Sequence, residues 1–546
     1  MNTTTRIDGR RSWVALAGLV AAVATAACGA SYGSKAPSEP AMMAKDASGH
    51  FVSASAGRAA ADSPMNTEAY DHIAENDFFR AADRPLSTFS IDVDTASYSN
   101  VRRFLRDGSL PPPDAVRIEE LINYFPYDYP DPAGAEPFAA AAEVIGCPWA
   151  PRHRLLRIGL QGKRMHAAET PPRNLVFLLD VSGSMEDPRK LPLLRSAFTL
   201  LTEQLRPSDT VAIVVYAGAS GLVLPPTAGS DRATIIGALQ RLQAGGSTNG
   251  GEGIQLAYQM ARKSFKPGGI NRVILATDGD FNVGVTSQGD LIRLIEQERE
   301  TGVFLTVLGL GTGNLKDSTM EKLADKGNGN YAYLDTLSEA RKVLVEQAGS
   351  TLVTIAKDVK IQVEFNPATV EGYRLVGYEN RLMRSEDFND DEKDAGEIGA
   401  GHSVTALYEV VPAGVPLPQA GSVDPLKYQQ PATVSPAAAS GELGTIKVRY
   451  KEPAGTTSKL STFAVSDRGT TFEAATADAR FAAAVAAFGM LLRDSKHKGG
   501  ATFAMARDVA SSALGTDANG YRRELVALID RAHRLKPDAK PTVVAR

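Results

Sequence analysis

The stretch Asn174-Leu-Val-Phe-Leu-Leu-Asp180, continued by Val-Ser-Gly-Ser-Met185, decides the fold of the chain. An unbroken apolar run that ends on an aspartate and a loop of small residues is typical of a strand buried on both faces of a parallel sheet. Two similar runs follow, TVAIVVYAG from Thr210 and NRVILATDGD from Asn271, and amphipathic stretches alternate with them. The alternation predicts an α/β fold for residues 172–350, a doubly wound and mainly parallel sheet of six strands with helices on both faces.

The regions on either side of this central domain have a different pattern. In the N-terminal flank, residues 66–171, the segments 138–145 and 154–160 are predicted strands. The C-terminal region, residues 351–546, is first rich in predicted strands and then Ala-rich and helical. Because two strands are too few to be stable alone, we expect both flanks to build one composite sandwich. The central domain is then inserted between the β-rich flanks, and the chain ends in a helical tail.

The first 28 residues have the pattern of an export signal, with three early arginines followed by a largely apolar run, Trp13–Ala27. That run is shorter than the roughly 20 residues of a bilayer-spanning helix. Residues 1–28 resemble a bacterial lipoprotein signal, which implies that Cys28 becomes the acylated first residue of the mature protein. Thr25 stands where such signals usually carry leucine, so ordinary secretion with cleavage near Ala27 is the alternative.

Residues 29–65 consist mostly of alanine, serine, proline and glycine with scattered charges, a composition that predicts a flexible linker. Gly29 follows the cysteine, whereas aspartate at that position often retains lipoproteins in the inner membrane. We therefore expect a lipid-anchored protein of the cell envelope, on the outer membrane and facing the periplasm. If Cys28 is acylated, Cys147, the other cysteine of the chain, has no partner for an intramolecular disulfide.

Oxygen-bearing side chains follow two of the predicted central strands and occupy the glycine-rich loop between them. This arrangement resembles the metal-ion-dependent adhesion site of the von Willebrand factor type A domain, whose pattern is D-x-S-x-S with a distant threonine and a distant aspartate. The five positions of that pattern are filled here by Asp180, Ser182, Ser184, Thr248 and Asp278. Mg²⁺ prefers oxygen ligands and keeps several waters, so the residue types suit it. Mn²⁺ and Ca²⁺ are the alternatives.

The five residues are expected to play different parts. Ser182 and Ser184 are predicted direct ligands, and Thr248 is predicted to bind the ion directly or through a water. Asp180 and Asp278 are expected to act through waters or to accept hydrogen bonds from the hydroxyls. Because the hydroxyl ligands are neutral, the ion stays electron-poor and attracts a carboxylate into its open position.

The resemblance extends beyond the central domain to a family of bacterial von Willebrand A lipoproteins with a C-terminal domain of unknown function. It implies binding of a protein partner that supplies an acidic residue to the metal, with the membrane reached through the lipid anchor. We expect no enzyme activity. A metal-assisted hydrolase and a structural envelope protein with a stabilising metal are the alternatives, and the first lacks an assigned general base. The net charge of −4 comes from charges spread along the chain and indicates no nucleic-acid partner.

Other candidate metal motifs are weaker. The seven histidines include no pair at zinc spacing. The acidic stretch from Glu386 to Glu397 spaces some carboxylates like a calcium loop, but Glu392 stands where that loop needs a glycine. We therefore interpret this stretch as a solvated loop.

Overall fold

The computed structural model describes residues 67–165, 169–217, 220–246, 250–279, 288–348, 352–418 and 434–538. These ranges belong to one compact unit. The predicted signal and linker, with Cys28, lie outside the described residues, and so does Thr248. Within the described ranges, no helix combines the length and the apolar character needed to span a bilayer.

The secondary structure follows the three regions of the sequence. The N-terminal flank contains β1 (Phe79–Arg80), β2 (Leu86–Ser90), α1 (Ala96–Arg106), α2 (Ile118–Asn123), β3 (Phe138–Gly146) and β4 (Arg154–Gly162). The central domain contains β5 (Arg173–Asp180), α3 (Leu191–Glu203), β6 (Thr210–Tyr216), β7 (Ser220–Ala228), α4 (Arg232–Gln240), α5 (Gly250–Lys263), β8 (Ile270–Thr277), α6 (Gln288–Glu300), β9 (Val303–Leu310), α7 (Asp317–Lys326), β10 (Tyr331–Leu334) and α8 (Leu337–Arg341). The C-terminal region contains β11 (Thr354–Phe365), β12 (Val370–Val376), β13 (Leu382–Met383), β14 (Gly396–Gly399), β15 (Ser403–Pro412), β16 (Gly444–Lys451), β17 (Lys459–Val465), α9 (Ala477–Arg493), α10 (Phe503–Ser512) and α11 (Tyr521–Leu535).

The central sheet has six strands in the order β10-β9-β8-β5-β6-β7. All neighbours run parallel except β7, which pairs with β6 in the antiparallel direction. Successive residues of β5 pack on opposite faces: Leu175 and Phe177 join the core with α3 and α4, whereas Val176 and Leu178 join the core with α5, α6 and α7. Helices therefore cover both faces, which confirms the predicted doubly wound sheet.

The two flanks share two antiparallel sheets. One sheet has the order β1-β12-β15-β4-β3, and the other has the order β13-β2-β11-β16-β17, with β14 beside β11. In each sheet a strand from the N-terminal flank pairs with strands of the C-terminal region, for example Phe89 opposite Ile361. The helices α2, α9, α10 and α11 pack on the outer face of the first sheet, around Leu155 and Leu407. The composite sandwich expected from the strand count is confirmed.

The middle of the central sheet positions the candidate site. Strands β5 and β8 are neighbours, and their register places Leu179 opposite Ala276. Asp180 and Asp278 therefore leave the sheet side by side at its carboxyl edge, where ligands of open α/β sheets bind.

Candidate metal centre

Asp180 is the last residue of β5, and its side chain is fully buried. Its Oδ1 accepts a hydrogen bond from the backbone N–H of Ser182 at 2.9 Å. Its Oδ2 accepts hydrogen bonds from the hydroxyls of Thr277 at 3.2 Å and Tyr216 at 3.3 Å. Burial, helped by the charge of Asp278 and opposed by the hydrogen bonds from Ser182 and Thr277, raises the pKa of Asp180 to about 6. The carboxylate is thus held in one orientation by groups from two neighbouring strands, β6 and β8, and from the loop after β5.

The two serines of the loop lie together. Ser182 is 3% exposed, whereas Ser184 is exposed, so the group opens to solvent on the Ser184 side. The two Oγ atoms are 3.1 Å apart. Between them, Gly183 donates its backbone N–H to the carbonyl of Gly246 at 3.1 Å, which ties this loop to the glycine-rich loop before α5. Because Ser182 and Ser184 are two positions apart in the sequence, this loop brings both hydroxyls to one point.

Asp278 follows β8 directly and is fully buried. Its Oδ2 accepts hydrogen bonds from the hydroxyl of Ser184 at 2.6 Å and from the ammonium of Lys190 at 2.8 Å. Burial acts to raise the pKa of Asp278, but these two donors outweigh it and hold the pKa below its usual value. The side chain is therefore ionised and is linked directly to Ser184 and, through Ser184, to Ser182.

The structure thus brings four of the five predicted residues together: Asp180, Ser182, Ser184 and Asp278. Thr248 lies outside the described residues, and its part in the site stays a prediction. The residues next to that gap are close to the site, because Gly245 donates its N–H to the carbonyl of Val181 at 2.8 Å.

The described residues fit a small divalent cation. Mg²⁺ binds oxygen at about 2.0–2.1 Å in an octahedron, so two adjacent ligands lie about 2.9 Å apart. The 3.1 Å between the serine Oγ atoms is close to that edge. Ser184 donates its proton to Asp278, so its oxygen is an acceptor toward Ser182 and keeps a further lone pair for an ion. The two serines are suited to direct ligation, and both aspartates are suited to accept hydrogen bonds around it.

Three residues of this site escaped the sequence analysis: Lys190, Tyr216 and Thr277. The last two could have been found, since each ends a strand beside β5 and therefore reaches the same edge of the sheet. Lys190 carried no such signal. It lies in a loop before α3, where lysines are usually solvated, and only the fold shows that its ammonium reaches Asp278.

A second group of carboxylates lies in the C-terminal region, where oxygens of Asp358, Asp394 and Glu397 lie within 4.8 Å of one another. Cations already balance two of them, because Lys451 is 2.8 Å from Asp358 and Arg299 is 2.9 Å from Asp394. We assign this group to structural ion pairs: Arg299 of α6 joins the central domain to the segment before β14, and Lys451 joins β16 to β11. The interpretation of 386–397 as a solvated loop is wrong near both ends, since Asp387 and Glu397 are each 8% exposed and Glu397 lies in β14.

Comparisons with known families cover nearly the whole described chain. The family described as von Willebrand factor type A domain matches residues 174–347, and one described as von Willebrand factor matches residues 64–157. The family described as "Uncharacterized protein YfbK, C-terminal" matches residues 350–535. The site described above therefore lies within the type A domain.

Individual proteins extend the comparison. The "Uncharacterized protein YfbK" of Escherichia coli (strain K12) is 45% identical over 489 residues, which cover 88% of this chain and 84% of that protein. Inter-alpha-trypsin inhibitor heavy chain H4 of Homo sapiens is 29% identical over 165 residues, 28% of this chain and 17% of that protein. The solved structure of "von Willebrand factor type A from Catenulispora acidiphila" is 18% identical and covers 71% of this chain and 89% of that chain. Its TM-score of 0.39 is too low to support an argument. The 45% identity decides the family: this chain belongs to that of the Escherichia coli protein YfbK and contains a von Willebrand factor type A domain.

Proposed function

We propose that this protein is a cell-envelope lipoprotein that binds a protein partner through a Mg²⁺-dependent adhesion site. Domains of the von Willebrand factor type A family generally mediate protein–protein interactions. The proposal adds the ion, its ligands and the chemistry of the partner. An acidic side chain of the partner completes the coordination of the metal on the exposed side of the site.

The observation that carries the proposal is the pair of serine hydroxyls 3.1 Å apart, next to two buried carboxylates. The hydroxyls bring no charge to the ion, so the charge of Mg²⁺ is balanced only by Asp180 and Asp278 at a distance. An ion bound in this way remains a strong acceptor for a further oxygen anion. Because Ser184 is exposed, that anion can arrive from a separate protein.

We also propose that the site binds and does not catalyse. Hydrolysis at a metal needs a proton acceptor placed near the attacking water. Lys190 is a basic residue close to the serines, but its ammonium donates to Asp278 and is not arranged to accept a proton. The metal-assisted hydrolase is therefore the weaker alternative.

The metal site is tested by replacing Ser182 and Ser184 with alanine together. Mg²⁺ binding, measured by isothermal titration calorimetry, should be lost, while the free energy of unfolding in metal-free buffer stays within about 1 kcal/mol of wild type. Ser196→Ala, an exposed serine on α3, is the matched control and should bind Mg²⁺ normally. Unchanged Mg²⁺ affinity in the double variant would remove the basis of the proposal.

The partner is tested by crosslinking in intact cells, followed by mass spectrometry of the captured proteins. Wild type should capture a partner that Asp180→Ala does not, and EDTA should abolish the capture by wild type. A partner captured equally by wild type, by Asp180→Ala and in EDTA would mean that binding does not use the metal. Loss of thermal stability in EDTA without any change of partner would favour the structural metal.

The anchor is tested separately, because it depends on residues outside the described ranges. Cys28→Ser should lose labelling by a fatty-acid analogue and should either keep its signal or be released in soluble form. Cys147→Ala is the control, since Cys147 is the other cysteine and is buried in the fold. A Cys28→Ser protein that stays in the membrane with its signal removed would place the anchor elsewhere.

A further inference from the structure

Lys190 reaches the metal site by a route that the fold holds open. It precedes α3, its side chain is 8% exposed, and its Nζ lies 2.8 Å from Asp278 Oδ2 and 3.4 Å from Asn314 Oδ1. The aliphatic stem passes over Gly311, where an added Cβ would lie 2.2 Å from Cε of the lysine. Gly311 also has a φ of +73°, a conformation that favours glycine. The fold thus fixes the position of the Lys190 ammonium within the site.

The formal charges of the groups around the site indicate what this ammonium does. Asp180 and Asp278 carry two negative charges, and Lys190 carries one positive charge. With Mg²⁺ bound, these groups sum to a charge of about +1. Without the lysine the loaded site would be neutral, and an incoming carboxylate would leave it negative. Buried charge is costly unless it is balanced, so the lysine sets the charge of the ligand that fits best.

We propose that Lys190 is the specificity-determining residue of the site: it weakens the bare metal complex and makes the loaded site selective for one singly charged carboxylate. This inference rests on the proposed metal site and deepens it. The lysine acts in opposite directions on two steps. It repels the incoming Mg²⁺ and competes for Asp278, and it attracts the carboxylate that follows.

The opposite signs distinguish this role from a structural one. Loss of a lysine that only holds the loop should weaken metal binding and carboxylate binding together. Replacement of Lys190 by methionine, which keeps the stem but removes the charge, should instead tighten Mg²⁺ binding by about tenfold. It should also reduce the carboxylate step. By thermodynamic reciprocity, that step is measured as the increase in metal affinity that a carboxylate produces.

The experiment uses the metal alone and acetate as the carboxylate probe. Mg²⁺ affinity of wild type and Lys190→Met is measured by competition with Mn²⁺, followed by electron paramagnetic resonance, in acetate and in chloride of equal ionic strength. Acetate should raise the affinity of wild type, and the increase should be at least about threefold smaller in Lys190→Met. Lys322→Met, an exposed lysine on α7, is the control and should behave as wild type in both buffers.

Lys190→Gln keeps a donor for Asp278 without the charge, and it replaces the methionine variant if that protein fails to fold. Weaker Mg²⁺ binding in the neutral variants, or an unchanged acetate effect, overturns the inference while the metal site stands. If wild type binds no divalent metal, or if the double variant Ser182→Ala with Ser184→Ala binds it as well as wild type does, the proposed function and this inference both fail. Tighter Mg²⁺ binding together with a smaller acetate effect supports the inference.

Discussion

Two groups of buried carboxylates border the central domain and differ in what balances their charge. At the carboxyl edge of the central sheet, Asp180 and Asp278 accept hydrogen bonds from hydroxyls, from the backbone N–H of Ser182 and from the ammonium of Lys190. Where the central domain meets the flanks, Arg117 and Arg381 lie among the carboxylates of Asp92, Asp94, Glu120, Asp317, Glu321 and Asp325. We call this second group the arginine junction. Arginine is permanently charged and carries five donors, so the chain itself supplies the cations that balance the carboxylates of the junction.

The contrast separates two kinds of buried charge. We call the one a joint, where ion pairs within the chain hold its regions together, and the other an exchange site, which an ion can enter and leave. Arg117 connects α2 of the N-terminal flank to Asp317 of α7, and Arg381 of the C-terminal region lies 2.6 Å from Asp325 of the same helix. The Arg117–Asp317 pair is nearly free of solvent, whereas the side chain of Asp325 is 33% exposed. The two pairs hold the three regions together. The carboxyl edge has neutral hydroxyls in place of guanidinium groups and opens at Ser184, which leaves an ion free to enter and leave. The predictions below test this contrast.

The largest effect is expected for Arg117→Met. Removal of the guanidinium leaves Glu120 and Asp317 buried without their cation, which costs about 3–5 kcal/mol in comparable sites. The free energy of unfolding should fall by that amount in denaturant titrations. Arg384→Met, in which the lost arginine is exposed, should leave it close to the wild-type value. A loss below about 1 kcal/mol for Arg117→Met would mean that the junction is not the joint.

A pH-dependent effect is expected for Glu119, which is buried in α2 beside the junction. Burial, and next the charges of Glu379 and Asp92, raise the pKa of this carboxyl from 4.5 to about 7. Between these two values the folded protein keeps a proton that the unfolded chain has released. The stability that this group contributes is therefore present below pH 4.5 and is lost as the pH rises through 7.

Glu119→Gln removes that titration. Relative to wild type, the glutamine variant should gain about 2 kcal/mol in the free energy of unfolding between pH 5 and pH 8. Glu203→Gln, at an exposed position on α3, should follow the wild-type curve. Parallel curves for Glu119→Gln and wild type would contradict the raised pKa.

The carboxyl edge could be predicted from sequence because its residues are close to strand ends. Asp180, Ser182 and Ser184 lie within five consecutive positions, and the rule for parallel strands brings Asp278 to the same edge. The sandwich followed from the marginal stability of two strands, a physical argument that needs no partner to be identified. Both inferences depend on which short segments form strands, and the folded protein contains those strands.

The arginine junction could not be predicted in this way. Arg117 and Asp317 are 200 positions apart, and neither belongs to a motif. Asp94, in the loop before α1, accepts the backbone N–H of Tyr331 at 2.8 Å across the domain boundary. Such contacts depend on how three regions dock, and a single sequence carries no signal for docking. Lys190 was missed for a different reason: its partner Asp278 lies in the same domain but 88 positions along the chain, and no local pattern marks the contact.

A smaller effect on the free energy of unfolding is expected for Asp180→Asn, which tests the exchange site. Mg²⁺ at ten times its dissociation constant should stabilise wild type by about 1.4 kcal/mol, because the ion binds only the folded protein. Asp180→Asn should show none of this stabilisation, and its stability in metal-free buffer should not fall, because burial already disfavours the charged form of this carboxyl. Asp187→Asn, in the same loop but partly exposed, should keep the wild-type response to Mg²⁺. A large loss of stability without metal would make this edge a second joint.

The smallest effects are expected from two buried tyrosines that play matching parts in the two groups. Tyr216 donates its hydroxyl to Asp180 at 3.3 Å, and Tyr331 donates its hydroxyl to Asp317 at 2.9 Å. Tyr331→Phe should lower the free energy of unfolding by about 1 kcal/mol, since Asp317 keeps Arg117, and should leave Mg²⁺ affinity unchanged. Tyr216→Phe should weaken Mg²⁺ binding by about threefold, because Asp180 loses one of the groups that orient it.

Each tyrosine variant is the control for the other, since both lose one hydroxyl from a fully buried side chain. Calorimetric titration with Mg²⁺ and denaturant unfolding are therefore measured on both proteins. If the junction is a joint and the carboxyl edge is an exchange site, the stability change appears in Tyr331→Phe and the affinity change appears in Tyr216→Phe. Equal changes of both quantities in both variants would mean that the two groups are coupled through the sheet and act as one unit, because independent sites give independent effects.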